Sequence, residues 1–150
     1  MNRILIPGVL AAILAYGSPA MAEQNSAPVE VWKSPTCGCC KGWVKHMRSA
    51  GYTVKTNDVA QDVLSKIKRQ AGLADELQSC HTAKIAGYVI EGHVPAKDIA
   101  RLLSEKPDAI GLAVPYMPVG SPGMEFGSEK EPYKVLLVKA DGSTEVFAKY

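Results

Sequence analysis

The sequence has no dominant charge. Its 17 Lys and Arg residues face 15 Asp and Glu residues, so the formal net charge is +2. Cleavage of the first 22 residues, argued below, removes one basic residue, Arg3, and leaves a charge of +1, because 2 − 1 = 1. Nucleic acids and anionic membranes are bound through clustered positive charge. The charge balance therefore gives no basis for either kind of partner.

The sequence also lacks an apolar run long enough to span a bilayer comfortably. The mainly apolar stretch from Ile4 to Tyr16 is too short. It follows Arg3 and precedes Ala20-Met21-Ala22, the arrangement of a cleavable signal peptide over residues 1–22. The cysteine that a lipoprotein needs after the cleavage site is missing. We expect export to the periplasm, a polar leader over 23–28 and one domain over 29–150, with no membrane insertion after cleavage.

Cysteine is scarce but concentrated. Three of the four cysteines lie in Cys37-Gly38-Cys39-Cys40, between an expected strand at Val29 to Trp32 and an expected helix at Lys41 to Ala50. The outer pair has the C-x-x-C spacing of a redox dithiol, and a helix N-terminus there favours thiolate. A third thiol beside them favours a soft metal ion, which thiolates can bridge. Two ordinary structural disulfides are the alternative, although three thiols this close cannot all pair locally.

The remaining pattern indicates an α/β domain that opens β-α-β-α. A second strand is expected at 52–56, a helix ending near Gly72, a strand at 86–90 and a helix after Pro95. A terminal hairpin is expected from 133–139 and 144–147 around an Asp-Gly turn. The stretch from Ile110 to Pro132 contains four prolines and predicts a long functional loop.

Several motifs together resemble one family. Cys37-Gly38-Cys39-Cys40 looks like the C-G-P-C of thioredoxin-like proteins with a cysteine in place of proline. The chain is similar to the CopG-type periplasmic copper-resistance proteins, also described as DUF411, in four stretches: Ser34 to Cys40, Ser79-Cys80-His81-Thr82, Gly87 to Pro95 and Met117 to Glu125. The resemblance implies a thioredoxin-like domain whose C-terminal extension, from about residue 110, helps to hold copper.

The same resemblance implies a function. It points to a cysteine-bridged multi-copper site that handles Cu(I) and Cu(II) during copper export. The expected partners are copper ions and periplasmic components of a copper efflux system, and the expected state is a monomer. Whether the protein turns over as a copper oxidoreductase is left open.

Cu(I) is soft and prefers thiolate and thioether, with imidazole acceptable. The candidate metal ligands are therefore Cys37, Cys39, Cys40, Cys80, Met124, Met117, His81 and His93. Each has a plainer interpretation. Cys80 could be an ordinary buried cysteine, the histidines could be surface or supporting residues, and the methionines could fill a core. The methionines lie in a loop rich in proline and glycine, where there is little core to fill. His46, within the first helix, is interpreted as solvated.

Three other functions stay open. The chain could be a metal-free thiol-disulfide oxidoreductase in which Cys37 is the catalytic nucleophile and Cys40 resolves the mixed disulfide. It could also buffer or pass on Cu(I) without redox chemistry. A structural zinc site has suitable ligand types, but nearly contiguous thiols suit bridged soft ions better.

Two structural expectations follow. We expect Cys80 to fold against the other cysteines, and we expect the 110–132 loop to fold back over them as a lid. The final antiparallel pair of the thioredoxin sheet is left open: it is either the C-terminal hairpin, with Pro115 or Pro118 near the cysteines, or a pair formed within Ala86 to Val94.

Overall fold

The computed structural model describes residues 27–150, so the signal-peptide prediction lies outside the described residues. No helix in the described part is long and apolar enough to cross a membrane. Besides a short 3-10 helix at Asp75–Leu77, the elements in chain order are β1 Val29–Lys33, α1 Gly38–Ser49, β2 Val54–Asp58, α2 Gln61–Gln70, β3 Thr82–Ile85, β4 Tyr88–Gly92, α3 Ala96–Glu105, β5 Gly111–Val114, β6 Lys134–Val138 and β7 Thr144–Lys149.

The strands form one seven-stranded mixed sheet in the order β2-β1-β3-β4-β5-β6-β7. β1 is parallel to β2 and antiparallel to β3, which forms an antiparallel hairpin with β4. The expected α/β class is confirmed. The antiparallel pair beside β1 differs from both expected alternatives: it is the β3–β4 hairpin, whose first strand lies before Ala86 and whose second strand lies within the Ala86 to Val94 stretch. The extension adds β5 parallel to β4, and then the terminal β6–β7 hairpin at the far edge.

The strand β3 was missed from sequence, because its turn is unusual. A two-residue turn at Ala86 and Gly87 joins β3 to β4, and both residues have positive φ, 48° and 90°. Such turns normally carry Asn-Gly or Asp-Gly. Ala86 therefore looked like the beginning of a strand, and the hairpin signal was absent.

The strand β5 lies inside the stretch that we expected to be loop. All four of its residues, Gly111–Val114, are buried. A short strand that is buried on both faces shows no alternation of polar and apolar residues, and Pro115 follows it directly. The irregular segment is consequently shorter than expected and runs from 115 to 133.

The two faces of the sheet differ in chemistry. One face packs against α1 and α3 in an apolar core whose largest side chains include Trp43, Met47, Ile99 and Leu102. Side chains alternate between faces along a strand, so Thr82 and Glu91, which pair in register, point to the other face. There α2 contributes Lys68, which is buried with them. The cysteines lie at the end of the sheet where these two environments meet.

Candidate metal centre

The C-x-x-C pair lies at the beginning of α1. Cys37 is the N-cap, and its sulfur accepts a hydrogen bond from the backbone N–H of Cys40 at 3.3 Å. Cys37 and Cys40 are joined in a disulfide. Cys40 is buried, whereas Cys37 and Cys39 are half-buried. The helix thus sets the spacing of the three sulfur atoms and leaves Cys39 as a free thiol.

Cys80 lies against this cluster. β1 and β3 are adjacent and antiparallel, so the end of β1 and the start of β3 meet at the same end of the sheet. Cys39 Sγ is 3.4 Å from Cys37 Sγ and 3.5 Å from Cys80 Sγ. All four sulfur atoms lie within 4.8 Å of one another. The expected position of Cys80 is confirmed, while its role as a ligand stays a prediction.

The Cys80 thiol holds its proton firmly in the metal-free protein. Burial, and after it the hydrogen bond to Cys39, raises the pKa of Cys80 to about 12. A metal ion binds the thiolate, so binding here releases a proton and becomes tighter as pH rises.

Two imidazoles lie behind the cysteines. His81 is fully buried, 4.5 Å from the Trp43 ring and 5.1 Å from His93 between ring centroids. Among the described residues neither ring nitrogen of His81 has a hydrogen-bond partner, and neither does Nε2 of His93. Burial lowers the pKa of both histidines, so they are neutral at pH 7. A neutral imidazole has one ring nitrogen with a free lone pair, which can bind a metal ion, whereas burial disfavours binding of a proton there.

The 115–133 segment, which we call the lid loop, packs onto α1. A Cβ placed on Gly123 would lie 2.5 Å from the backbone nitrogen of Trp43 and 2.6 Å from the carbonyl oxygen of Cys39. The carbonyl of Pro122 is 2.9 Å from His93 Nδ1. This packing beside Cys39 is in line with the expectation that the loop folds back over the cysteine site, while the role of the loop as a lid over the sulfur atoms stays a prediction.

The two methionines of the lid loop are placed differently. Met124 follows Gly123 directly and is half-buried, whereas Met117 is 49% exposed. No described contact joins either thioether to a cysteine. Their roles as copper ligands stay predictions, and the placement favours Met124 over Met117.

One histidine and two prolines outside the cluster also bear on the sequence interpretation. His46 is half-buried, and its Nε2 accepts a hydrogen bond from the N–H of Ala96 at 3.0 Å, so it caps α3 and is not simply solvated. Pro115 and Pro118 follow β5 and do not precede the strand beside β1. The residue directly before β3 is His81. The role of His46 could not be predicted from sequence, because the spacing of residues within α1 says nothing about a contact with the start of α3.

The donor set suits a soft metal ion. Four sulfur atoms in one cluster match the preference of Cu(I) and of bridged thiolate sites. Two of these sulfurs are tied up in the Cys37–Cys40 disulfide, so reduction by two electrons is needed before all four can bind as thiolates.

The chain is similar in sequence and fold to proteins of one family. The family model described as "Protein of unknown function, DUF411" matches residues 77–124. A solved structure titled "Copper resistance protein copG- Form 2" is 44% identical over 83% of this chain and 98% of its own, with a TM-score of 0.77. The Form 1 structure is 42% identical over 82% and 96%, with a TM-score of 0.77. No curated protein matches the chain.

Proposed function

This chain belongs to the CopG-type DUF411 family, and from that premise we propose that its cysteine cluster binds several copper ions and interconverts Cu(I) and Cu(II) in copper resistance. The observation that carries the proposal is the convergence of four sulfur atoms within 4.8 Å, one of them from a residue more than forty positions away. A structural disulfide framework needs no third or fourth sulfur at one point. A site for soft metal ions does.

The proposed ligands fall into two groups. The thiolates of Cys37, Cys39, Cys40 and Cys80 bridge the copper ions. Met124, Met117, His81 and His93 complete their coordination, and the unpartnered ring nitrogens support this for the two histidines. Copper is here cargo and substrate: it enters, changes oxidation state and leaves.

The electron count of the redox step is simple. Joining Cys37 and Cys40 as a disulfide removes two electrons from their two thiolates. Those two electrons reduce two Cu(II) ions to Cu(I), and Cys39 and Cys80 bind the Cu(I) as thiolates after releasing their protons to water. A reduced partner resets the pair by thiol-disulfide exchange. This use of the dithiol is supported by its position at the N-terminus of α1, where thiolate is stabilised.

The proposed setting is the periplasm, after removal of residues 1–22, with components of a copper efflux system as partners. Periplasmic thiols are exposed to oxidation. Cys39 and Cys80 are half-buried, and this partial burial supports a role in holding Cu(I) there.

The test is copper binding by reduced protein prepared without oxygen. We expect several equivalents of Cu(I) per chain and charge-transfer absorption after oxidation. Cys39→Ser leaves a formally intact C-x-x-C pair and should lose much of the bound copper while keeping its fold by circular dichroism. Full copper retention by this variant would exclude Cys39 as a bridging ligand.

The disulfide itself supports a second candidate, a metal-free thiol-disulfide oxidoreductase. Cys37 is the more exposed sulfur of the pair, so it would be the nucleophile and the buried Cys40 would resolve the mixed disulfide. Reduction of a model disulfide at the same rate with and without a Cu(I) chelator, by protein that binds no copper, would favour this function over the first.

A further inference from the structure

A buried ion pair contacts the residues on either side of Cys80. Lys68 of α2 is 2% exposed and Glu91 of β4 is 0% exposed, and the ammonium of Lys68 contacts Oε1 of Glu91. Taking two charges out of water costs much of what their attraction returns, and well-packed apolar residues often serve stability equally well. Stability alone therefore does not explain why a charged pair is buried at this position.

The pair forms hydrogen bonds to the chain on both sides of Cys80. Glu91 Oε1 accepts a hydrogen bond from the N–H of Ser79 at 2.6 Å. Glu91 Oε2 accepts one from the hydroxyl of Thr82 at 2.7 Å. The ammonium of Lys68 donates to the same hydroxyl at 3.0 Å. Every oxygen of the buried carboxylate is thus used on the segment Ser79–Thr82, which we call the Cys80 segment.

The backbone of Gly92, the residue after Glu91, also packs closely against the same segment. The N–H of Gly92 donates to the carbonyl of His81 at 2.9 Å. Gly92 has φ +70°, and a Cβ there would lie 2.6 Å from Cβ of Ser79. Of the four residues in the segment, only Cys80 has no such anchor to β4, and its sulfur is the group that reaches Cys39 at 3.5 Å.

We propose that Lys68 and Glu91 are positioning residues that hold the Cys80 segment so that the Cys80 sulfur stays beside Cys39. The consequence for copper rests on the proposed function, whereas the consequence for the two thiols does not. The pair holds the segment through Ser79 and Thr82. The charge of Lys68 also lowers the pKa of Cys80, so Glu91→Gln, which keeps that charge, separates the two effects. A charged anchor suits this task because hydrogen bonds to an ionised carboxylate are shorter and stronger than neutral ones.

The first experiment measures the distance between the thiols without copper. Protein with the Cys37–Cys40 disulfide intact is treated with dibromobimane, which becomes fluorescent on bridging two neighbouring thiols, and mass spectrometry identifies the bridged peptides. Wild-type protein should yield the Cys39–Cys80 bridge. The double variant Lys68→Met with Glu91→Leu keeps an apolar, packed interior but removes both anchors. It should fold with some loss of stability, because the Thr82 hydroxyl and the Ser79 N–H lose their partners. It should bridge at least about tenfold more slowly, since a misplacement of about 1 Å can cost about a hundredfold in the rate of a reaction between two held groups.

A matched control comes from the other buried lysine. Lys33 is 4% exposed and pairs with Asp58 at the ends of β1 and β2. Its hydrogen bonds go to Ser34 and Asp58 and not to the Cys80 segment. Asp58→Asn should leave bridging at the wild-type rate. If the double variant does not fold, Glu91→Gln replaces it. That change keeps the shape but removes the charge, and it should slow bridging in the same direction.

The outcomes separate the two proposals. Wild-type bridging in a folded variant that lacks the ion pair overturns the positioning role. Slower bridging together with about tenfold weaker Cu(I) binding supports both proposals. Slower bridging with unchanged Cu(I) binding supports the positioning role and excludes Cys80 as a ligand, so the copper function alone would need revision.

Discussion

The cysteine cluster and the lid loop meet at the same end of the sheet but are held there by different means. The cysteines are fixed by regular elements: a helix N-terminus sets three of them, and the start of β3 sets Cys80. The lid loop is fixed by close backbone approach, above all between Gly123 and α1. The cluster should consequently survive damage to the loop, whereas the loop depends on a few contacts that a single methyl group can break.

The largest effect is expected from Gly123→Ala. Gly123 has φ +88° and no room for a Cβ against Trp43 and Cys39. Backbone strain and overpacking together should lower the free energy of unfolding by about 3 kcal/mol. Gly127→Ala is the matched control, because Gly127 also has positive φ but nothing lies within 4 Å of its Cβ position. It should cost about 1 kcal/mol from strain alone.

Urea unfolding of both variants measures this difference, and the Cys39–Cys80 bridging rate should stay close to wild type in each. Equal losses of stability would mean that the packing of Gly123 on α1 adds nothing. Loss of bridging in Gly123→Ala would mean that the cluster depends on the loop after all.

The second-largest effect is expected in acid, where protonation of His81 and His93 should lower the free energy of unfolding. Burial lowers the folded-state pKa of His81 and His93, whereas an unfolded histidine has a pKa of about 6.5. The unfolded chain therefore binds more protons below this pH, and stability falls as pH falls through and below about 6.5. Each histidine that stays neutral contributes a slope of up to about 1.4 kcal/mol per pH unit.

His81→Leu tests this slope. Free energies of unfolding at pH 7.5 and 5.5 should differ less in the variant than in wild-type protein. Burial raises the pKa of Glu91, which acts in the opposite direction, but it is present in both proteins and cancels in the comparison. Identical slopes would contradict the assignment of the acid sensitivity to His81.

The smallest effect on stability is expected from the lid-loop methionines. Met117→Ile together with Met124→Ile should lower the free energy of unfolding by no more than about 1 kcal/mol, because Met117 is exposed and Met124 is only half-buried. Cu(I) binding, measured by chelator competition, should weaken, and Met124→Ile alone should account for most of the change because Met124 is the more buried of the two. A large fall in melting temperature with unchanged affinity would make them packing residues.

The difference between the two regions also explains what could be predicted from sequence. The cysteine turn and the lid loop could be predicted because helix capping, cysteine spacing and proline content are local signals in the sequence. β3 was not, because Ala86 takes a conformation that usually requires Asn or Gly. Lys68 and Glu91 were not predicted, for another reason. In a single sequence a lysine on an amphipathic helix looks solvated, and only the structure shows that Lys68 is buried against Thr82 and Glu91.

The separation of the cysteines along the chain has a consequence for how the protein matures. Cys37 and Cys40 are three positions apart, whereas Cys39 and Cys80 are 41 apart. In the unfolded chain the entropy of closing the longer loop costs roughly 2 kcal/mol more, from (3/2)RT ln n. An oxidant that meets the newly made chain therefore closes the local pair first. Cys39 and Cys80 become neighbours only when β3 joins β1, so the order of assembly protects these two thiols from each other until the fold is complete.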